Sequence, residues 1–410
     1  MRDIGRSWRS GAAGVGRKVA WTLSRRLRCV RQLRDLPARA NFVVISFTHE
    51  LSHTQVYPFH LYAGQIEERY GACLREISAE DFAADDPRQR CPQVRWVAFQ
   101  TGFDLSAAQM EALVGRIHDA FPQATLCYLD FFAPLDLRYA AVLDPWIACY
   151  VKKQTFADVS RYGRPTRGDT NLTDYYARRH GIEQPDRTWP VPGEFADKLV
   201  IGSNFCLSAH MIDRFRGSLP EGERPIDVHA RIATRGVDWY RRMREEARAA
   251  ALAVQGVRTV SQGRVSQARF YRELAASKVC FSPFGYGEVC WRDYEAIFSG
   301  ALLLKPRMDH VRLAPQIFVP GETYVPIEWD CSDYEEQVRA ILADDKRRRE
   351  ICANAFEVVR RYIRSDVALD DLAPVFAAEP GGRALARGSR HDRRPVPQPA
   401  RVSALDERAS

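Results

Sequence analysis

The stretch Val279–Pro306, VCFSPFGYGEVCWRDYEAIFSGALLLKP, constrains the fold more than any other part of the chain. A short apolar run, Val279–Ser282, leads into a loop punctuated by Pro283, Gly285 and Gly287. A helix follows, and beyond Gly300 comes a second apolar run, Ala301–Leu304. Strand, loop, helix and strand in that order make the unit of a parallel, doubly wound sheet, with glycines where a ligand can approach the backbone. The loop and helix carry Glu288, Arg292, Asp293 and Glu295. Carboxylates there can grip hydroxyls, while a guanidinium and a helix N-terminus can hold phosphate.

A chain of 410 residues can bury a sizeable core, and two domains are expected. The net charge of +8 is unevenly placed: residues 1–40 carry +9 and residues 380–410 carry +4, which leaves the body at −5. The basicity therefore lies in the tails and argues against nucleic-acid binding by the fold. The ten cysteines show no C-x-x-C pair, so reduced core thiols are expected in place of a zinc site or disulfide framework. No run reaches membrane-spanning length, and the N-terminus lacks the apolar core of a signal peptide. Within the leader, Leu23, Leu27, Val30 and Leu33 recur at helical spacing among arginines. Residues 17–36 read either as a basic amphipathic helix lying on an anionic bilayer or as part of a disordered extension. A cytoplasmic protein is expected, at the inner face of the membrane if the leader binds lipid.

Residues 41–165 read as a first α/β domain. Its strands are expected at Asn41–Phe47, Arg95–Phe99, Ala124–Leu129 and Trp146–Val151, with a helix at Ser106–Phe121. Residues 166–198 lack periodicity and read as a connector. A second α/β domain spans residues 199–365: strand Pro225–Ile232, helix Asp238–Val254, the unit described above, strand Tyr324–Ile327 and two closing helices. Residues 379–410 read as a disordered tail.

The segment SKVCFSPFGYGEVCWRDYEAIFSGALLLKP (Ser277–Pro306) resembles the donor-binding segment of GT-B glycosyltransferases, and among them the exostosin-like and CgeB-like branches most. There an acidic loop residue precedes a helix reading roughly E-A-x-x-x-G, here Glu295 to Gly300. The likeness extends through Met308–Leu342, and PIDVHARI followed by WYRRMREEA resembles the start of the same domain. It implies two Rossmann-like domains facing each other across a cleft. It further implies a nucleotide-sugar donor as substrate, a glycan or lipid-linked acceptor, no required cofactor or metal, and a place in bacterial surface polysaccharide or glycoconjugate synthesis.

Carried over, Glu295 would bind the donor ribose. Glu288 lies seven positions before it, where the family pattern has eight. Arg292 either clamps the pyrophosphate or pairs internally with Asp293 or Glu288. Arg231 follows a predicted strand, where ligands of open α/β sheets sit. Gly285, Tyr286 and Gly287 shape the loop, and Asp309 and Glu322 are candidates for sugar hydroxyls.

On the acceptor side, transfer with inversion needs a base near the attacking hydroxyl. His49, His53 and Asp130 are the candidates, with Asp104 behind them. His49-Glu50-Leu51-Ser52-His53 also matches the H-E-x-x-H zinc-protease pattern, but it follows an apolar strand in place of lying within a long helix. Lys152 and Lys153 read as a solvated pair at a strand end or as a steering charge. A fucosyltransferase-like enzyme and a catalytically silent GT-B-fold binding protein are the alternatives.

Overall fold

The computed structural model describes residues 25–261 and 263–377. Seven parallel strands make the first sheet, in the spatial order Cys29–Val30, Leu74–Ser78, Phe42–Ser46, Trp96–Phe99, Thr125–Asp130, Cys149–Lys152 and Leu199–Ile201. Phe42–Ser46 is buried at every position, as a central strand of a parallel sheet covered on both faces must be. The helix Ala107–Ala120 starts on a reciprocal cap: Gln109 N donates to Ser106 Oγ at 3.2 Å, and Ser106 N donates to Gln109 Oε1 at 2.8 Å.

Five parallel strands make the second sheet, ordered Thr259–Val260, Ile226–His229, Ser277–Phe281, Leu302–Pro306 and Val325–Ile327. Ser277–Phe281 occupies the centre, so the loop after it opens at the middle of the sheet's carboxyl end. The helix Trp291–Ser299 then runs back to Gly300, whose φ of 69° is the left-handed conformation that ends helices. Two Rossmann-like domains result, as expected. An antiparallel pair, Gln154–Phe156 with Val311–Leu313, ties them together. They also share a core in which Leu135, Phe156 and Tyr176 pack with Phe284, Tyr294 and Ile297.

Three boundaries differ from the sequence reading. The chain joins the first sheet at Cys29–Val30, and Leu33 is buried in that domain's core, so no single amphipathic helix runs to residue 36. Residues 1–24 and the tail 379–410 lie outside the described residues. Leu199–Ile201 pairs with Tyr150–Lys152 and belongs to the first sheet, because an apolar triplet completes that edge. The connector holds a helix, Asn171–Arg179, capped by Thr170.

The third difference lies at the C-terminal end of the second domain. Past residue 365, Val367–Asp370 and Ala373–Ala377 return to the first domain. There Phe376 meets Phe42 at 5.1 Å, Trp96 at 5.7 Å and Tyr70 at 4.7 Å. Phe376→Ala should cost about 3–5 kcal/mol by denaturant unfolding, since it empties an aromatic site between segments some 300 residues apart. A loss below about 1 kcal/mol would show that this closure is loosely held. Seven of the ten cysteines are buried and none is paired. No helix among the described residues is long and apolar enough to cross a membrane.

Candidate donor site and interdomain cavity

The loop Ser282–Cys290 is anchored by Asp293. Ser282 Oγ donates to Asp293 Oδ1 at 2.6 Å, Lys305 Nζ donates to the same oxygen at 3.1 Å, and Cys290 N donates to Oδ2 at 2.8 Å. Asp293 and Lys305 are fully buried, so this ion pair ties loop, helix start and next strand together. With Asp293 engaged in this way, the internal pair considered for Arg292 does not form. Arg292 instead donates from Nη2 to the Arg231 carbonyl at 2.7 Å, and its buried Nε has no hydrogen-bond partner. A buried donor left open beside a carboxyl-end loop is a place for an acceptor that arrives with a ligand.

Arg231 is committed elsewhere. Its fork holds Glu273 at 2.5 and 2.9 Å, and Nη1 donates to the Gly263 carbonyl at 2.9 Å. The hydrogen bond from Arg231 holds Glu273 at about 2 despite its partial burial. Arg244 was missed by sequence reading. It is buried and donates to the carbonyls of Ala233 at 2.7 Å and Phe284 at 2.8 Å, pulling two loops together. A signal existed: on a helical wheel Arg244 falls on the apolar side with Ala247 and Ala251. Burial, then Arg292, lowers the Arg244 pKa, and the same two causes push His229 down to about 4. Arg292 and Arg244 thus form a positive site with no carboxylate bonded to either, beside a neutral His229.

Glu295 lies one helical turn beyond Arg292. Tyr271 donates to Glu295 Oε1 at 3.1 Å and itself receives Gln267 Nε2 at 3.0 Å. Burial raises Glu295 to about 7, with Arg292 and Tyr271 opposing. The structure therefore brings Arg231, Arg292 and Glu295 together.

Glu288 bonds residues outside this cluster, and its buried Oε2 has no hydrogen-bond partner. Glu288 is fully buried and accepts from Asn171 Nδ2 at 2.8 Å, with His310 Nε2 at 3.4 Å from the same oxygen. Asp309 is exposed, 3.9 Å from Arg307, in a hollow shared with His310 and Trp329. Tyr286 stacks on Tyr240 at 4.3 Å. Gly287 packs directly on the first domain, where an added Cβ would run into the Ala133 carbonyl. Gly287→Ala should therefore lower thermal stability and spread the loop, because the obstructing atom is backbone. A melting temperature unchanged within 1 °C (an order-of-magnitude threshold) would contradict that contact.

A cavity of about 620 Å³ separates the domains, lined on one side by Phe131, Phe132 and His49 and on the other by Trp239 and Tyr286. Of the three base candidates, His49 lines this cavity. Leu51 N–H donates to His49 Nδ1 at 3.2 Å, which in the neutral ring places the proton on Nε2. His53 begins the helix His53–Leu61 and its N–H donates to the His49 carbonyl at 3.3 Å; no group of three metal-ligating side chains occurs among the described residues. Burial pushes His53 down to about 4. Asp130 is fully buried and accepts from Tyr150 OH at 2.7 Å, Lys152 Nζ at 2.9 Å and Phe132 N at 2.9 Å. The expected solvated lysine pair is absent: Lys152 binds Asp130, and Lys153 lies buried with Nζ 4.4 Å from the Phe205 ring. Burial, then Lys152, lowers Lys153 to about 7.

Residues 222–372 match the family model described as glycosyl transferase-like. That glycosyl transferase-like segment holds Arg231, Arg244, Tyr271, Arg292 and Glu295. No curated protein matches the chain in sequence. Among solved structures, a glycosyltransferase from Rickettsia africae ESF-5 is similar with a TM-score of 0.44 and 10% identity, over 82% of this chain and 98% of that one. An alpha-glucosyltransferase in complex with UDP-glucose and DNA gives 0.46 and 8%, over 82% and 99%. TarM gives 0.41 and 9%, over 69% of this chain, which spans about half (54%) of TarM's length. At these TM-scores the likenesses say nothing of substrate or mechanism.

Proposed function

We propose that the chain is a glycosyltransferase that moves a hexosyl or related sugar from a nucleotide-sugar to a glycan or lipid-linked acceptor. The observation that carries this reading is the open, buried Nε of Arg292 beside Arg244, one helical turn from Glu295, inside the segment that matches the glycosyl transferase-like model. The donor diphosphate would lie on Arg292 and the N-terminus of the Trp291–Ser299 helix, with Arg244 adding charge from behind. Glu295 would accept from the ribose hydroxyls. As the bond from the anomeric carbon to the phosphate oxygen breaks, these cations stabilise the leaving nucleoside diphosphate. The acceptor oxygen bonds to that carbon and its proton passes to a base.

His49 is the base that reaches the cavity, and it must release Leu51 N–H from Nδ1 to take that proton. The loop Gly285–Gly287 would hold the donor sugar between the domains. The Ser277-Lys278 start and the Glu295-Ala296 pair favour the exostosin-like or CgeB-like branch, and the basic leader suits an acceptor presented at a membrane surface. The test is turnover: release of nucleoside diphosphate from a panel of nucleotide-sugars, with and without candidate acceptors. Release with one donor, lost in Glu295→Ala, supports the reading. Binding of a nucleotide with no turnover on any donor would make the chain a silent binding protein.

A further inference from the structure

The interdomain cavity is walled by aromatic side chains from both domains. Phe47 stacks on Phe131 at 6.0 Å, Phe132 meets Phe131 at 5.0 Å, and Phe103 meets Phe132 at 4.9 Å. Across the gap stand Val237 and the Trp239–Tyr286 pair, with rings 6.0 Å apart. Seven large apolar side chains are exposed among the described residues, and three of them line this cavity: Phe103 at 37%, Val237 at 52% and Tyr286 at 47%. Exposed apolar surface concentrated in one concave site marks a place where an apolar ligand sits.

The polar side chains of the wall are largely engaged with one another: Thr170 Oγ1 lies 3.2 Å from Thr173 Oγ1 and Arg187 3.6 Å from Asp169, with Gln184 beside them. Arg138 lies over the Phe103 ring at 3.8 Å, with Nε and Nη2 each donating to Asp136 at 2.8 Å. His49 is stacked on Phe131 at 6.2 Å and offers one ring N–H. Most of the wall is nevertheless apolar, and a bare sugar would leave that surface unmatched. We propose that the acceptor carries an apolar aglycone, either a chain or an aromatic ring, which fills this cavity while its hydroxyl faces the donor loop at Tyr286. This inference rests on the transfer reading above.

The full chain is titrated with methyl, hexyl and phenyl β-glucosides, followed by tryptophan fluorescence or calorimetry. Hexyl or phenyl glucoside should bind about tenfold or more tightly than the methyl compound, since each buried methylene contributes about 0.8 kcal/mol. Preference for hexyl identifies a chain-like aglycone, and preference for phenyl an aromatic one. The gain should be lost in Phe103→Ala and in Val237→Asn. Phe103 is a partly exposed loop residue, and Val237 is the N-cap of the Asp238–Ala253 helix, where Asn is a better cap than Val, so both variants keep the fold. Equal binding of all three glucosides, or an undiminished gain in both variants, overturns the inference. Nucleoside diphosphate binding to the unmodified chain is measured alongside. Nucleotide binding with no preference among glucosides overturns the aglycone and leaves the transfer reading standing. Preference for apolar glucosides with no nucleotide binding supports the cavity's ligand class and overturns the transfer reading.

Discussion

Glu295→Gln should raise thermal stability above pH 7 and remove most turnover in the same protein. Burial holds the Glu295 carboxyl at about 7 in the folded chain, above its ordinary value of 4.5. Between those values the native state binds more protons than the unfolded chain, so stability falls as pH rises through that window. The contribution is fully present below about pH 4.5 and lost above about pH 7. Glutamine has no such titration. The variant should therefore melt on the order of a few degrees higher than the parent at pH 8, and the gap should close toward pH 4.5. Donor affinity of the parent should rise from pH 6 to pH 8 as the carboxylate forms, while that of the variant stays flat. Loss of hydrogen bonds to a charged acceptor costs about 1.5–3 kcal/mol, which predicts a fall of roughly ten- to more than a hundredfold in kcat/KM. Full activity in Glu295→Gln would remove Glu295 from the site.

Arg292→Ala should weaken nucleotide binding by about 2–5 kcal/mol, the range for truncating one partner of a buried charge pair. Arg292→Lys should recover little. An ammonium cannot both donate to the Arg231 carbonyl and present a second N–H in the direction of Nε. The electrostatics give an independent readout. His229 sits at about 4 through burial and then through Arg292, so its pKa should rise when the guanidinium is removed. An unchanged His229 titration, followed by NMR, would mean that Arg292 lies further from this cluster than the structure places it.

The unit Val279–Pro306 was legible because it obeys two local rules at once. Its strands carry the apolar runs Val279–Phe281 and Leu302–Leu304, and its helix ends on a glycine in the left-handed conformation. Glu295 was singled out by the resemblance to GT-B donor segments, and Arg292 by its place at the start of the helix after the loop. Other features were hidden for identifiable physical reasons. The helix His53–Leu61 buries every residue from Thr54 to His60, so it shows no polar face, and Pro58 lies inside it. Leu74–Ser78 contains Arg75 and Glu76 and does not read as a strand. It is one because Glu76 is buried with His60 Nε2 at 2.7 Å, Ser46 Oγ at 2.5 Å and Arg25 Nη2 at 2.8 Å. Such a network is assembled from four separate segments, which local patterning cannot reveal. The contacts of Glu288 were hidden for a related reason. Its partners Asn171 and His310 come from the connector and a later loop.

The donor site is tested most directly by thermal shift of the full chain against UDP, GDP, CMP, ADP and dTDP and their sugars. One nucleotide family should raise the melting temperature, and the shift should vanish in Arg292→Ala while that variant still melts cooperatively. If no nucleotide moves the melting point, or if Arg292→Ala responds like the parent, then the cluster of Arg292, Arg244 and Glu295 is not a nucleotide-sugar site.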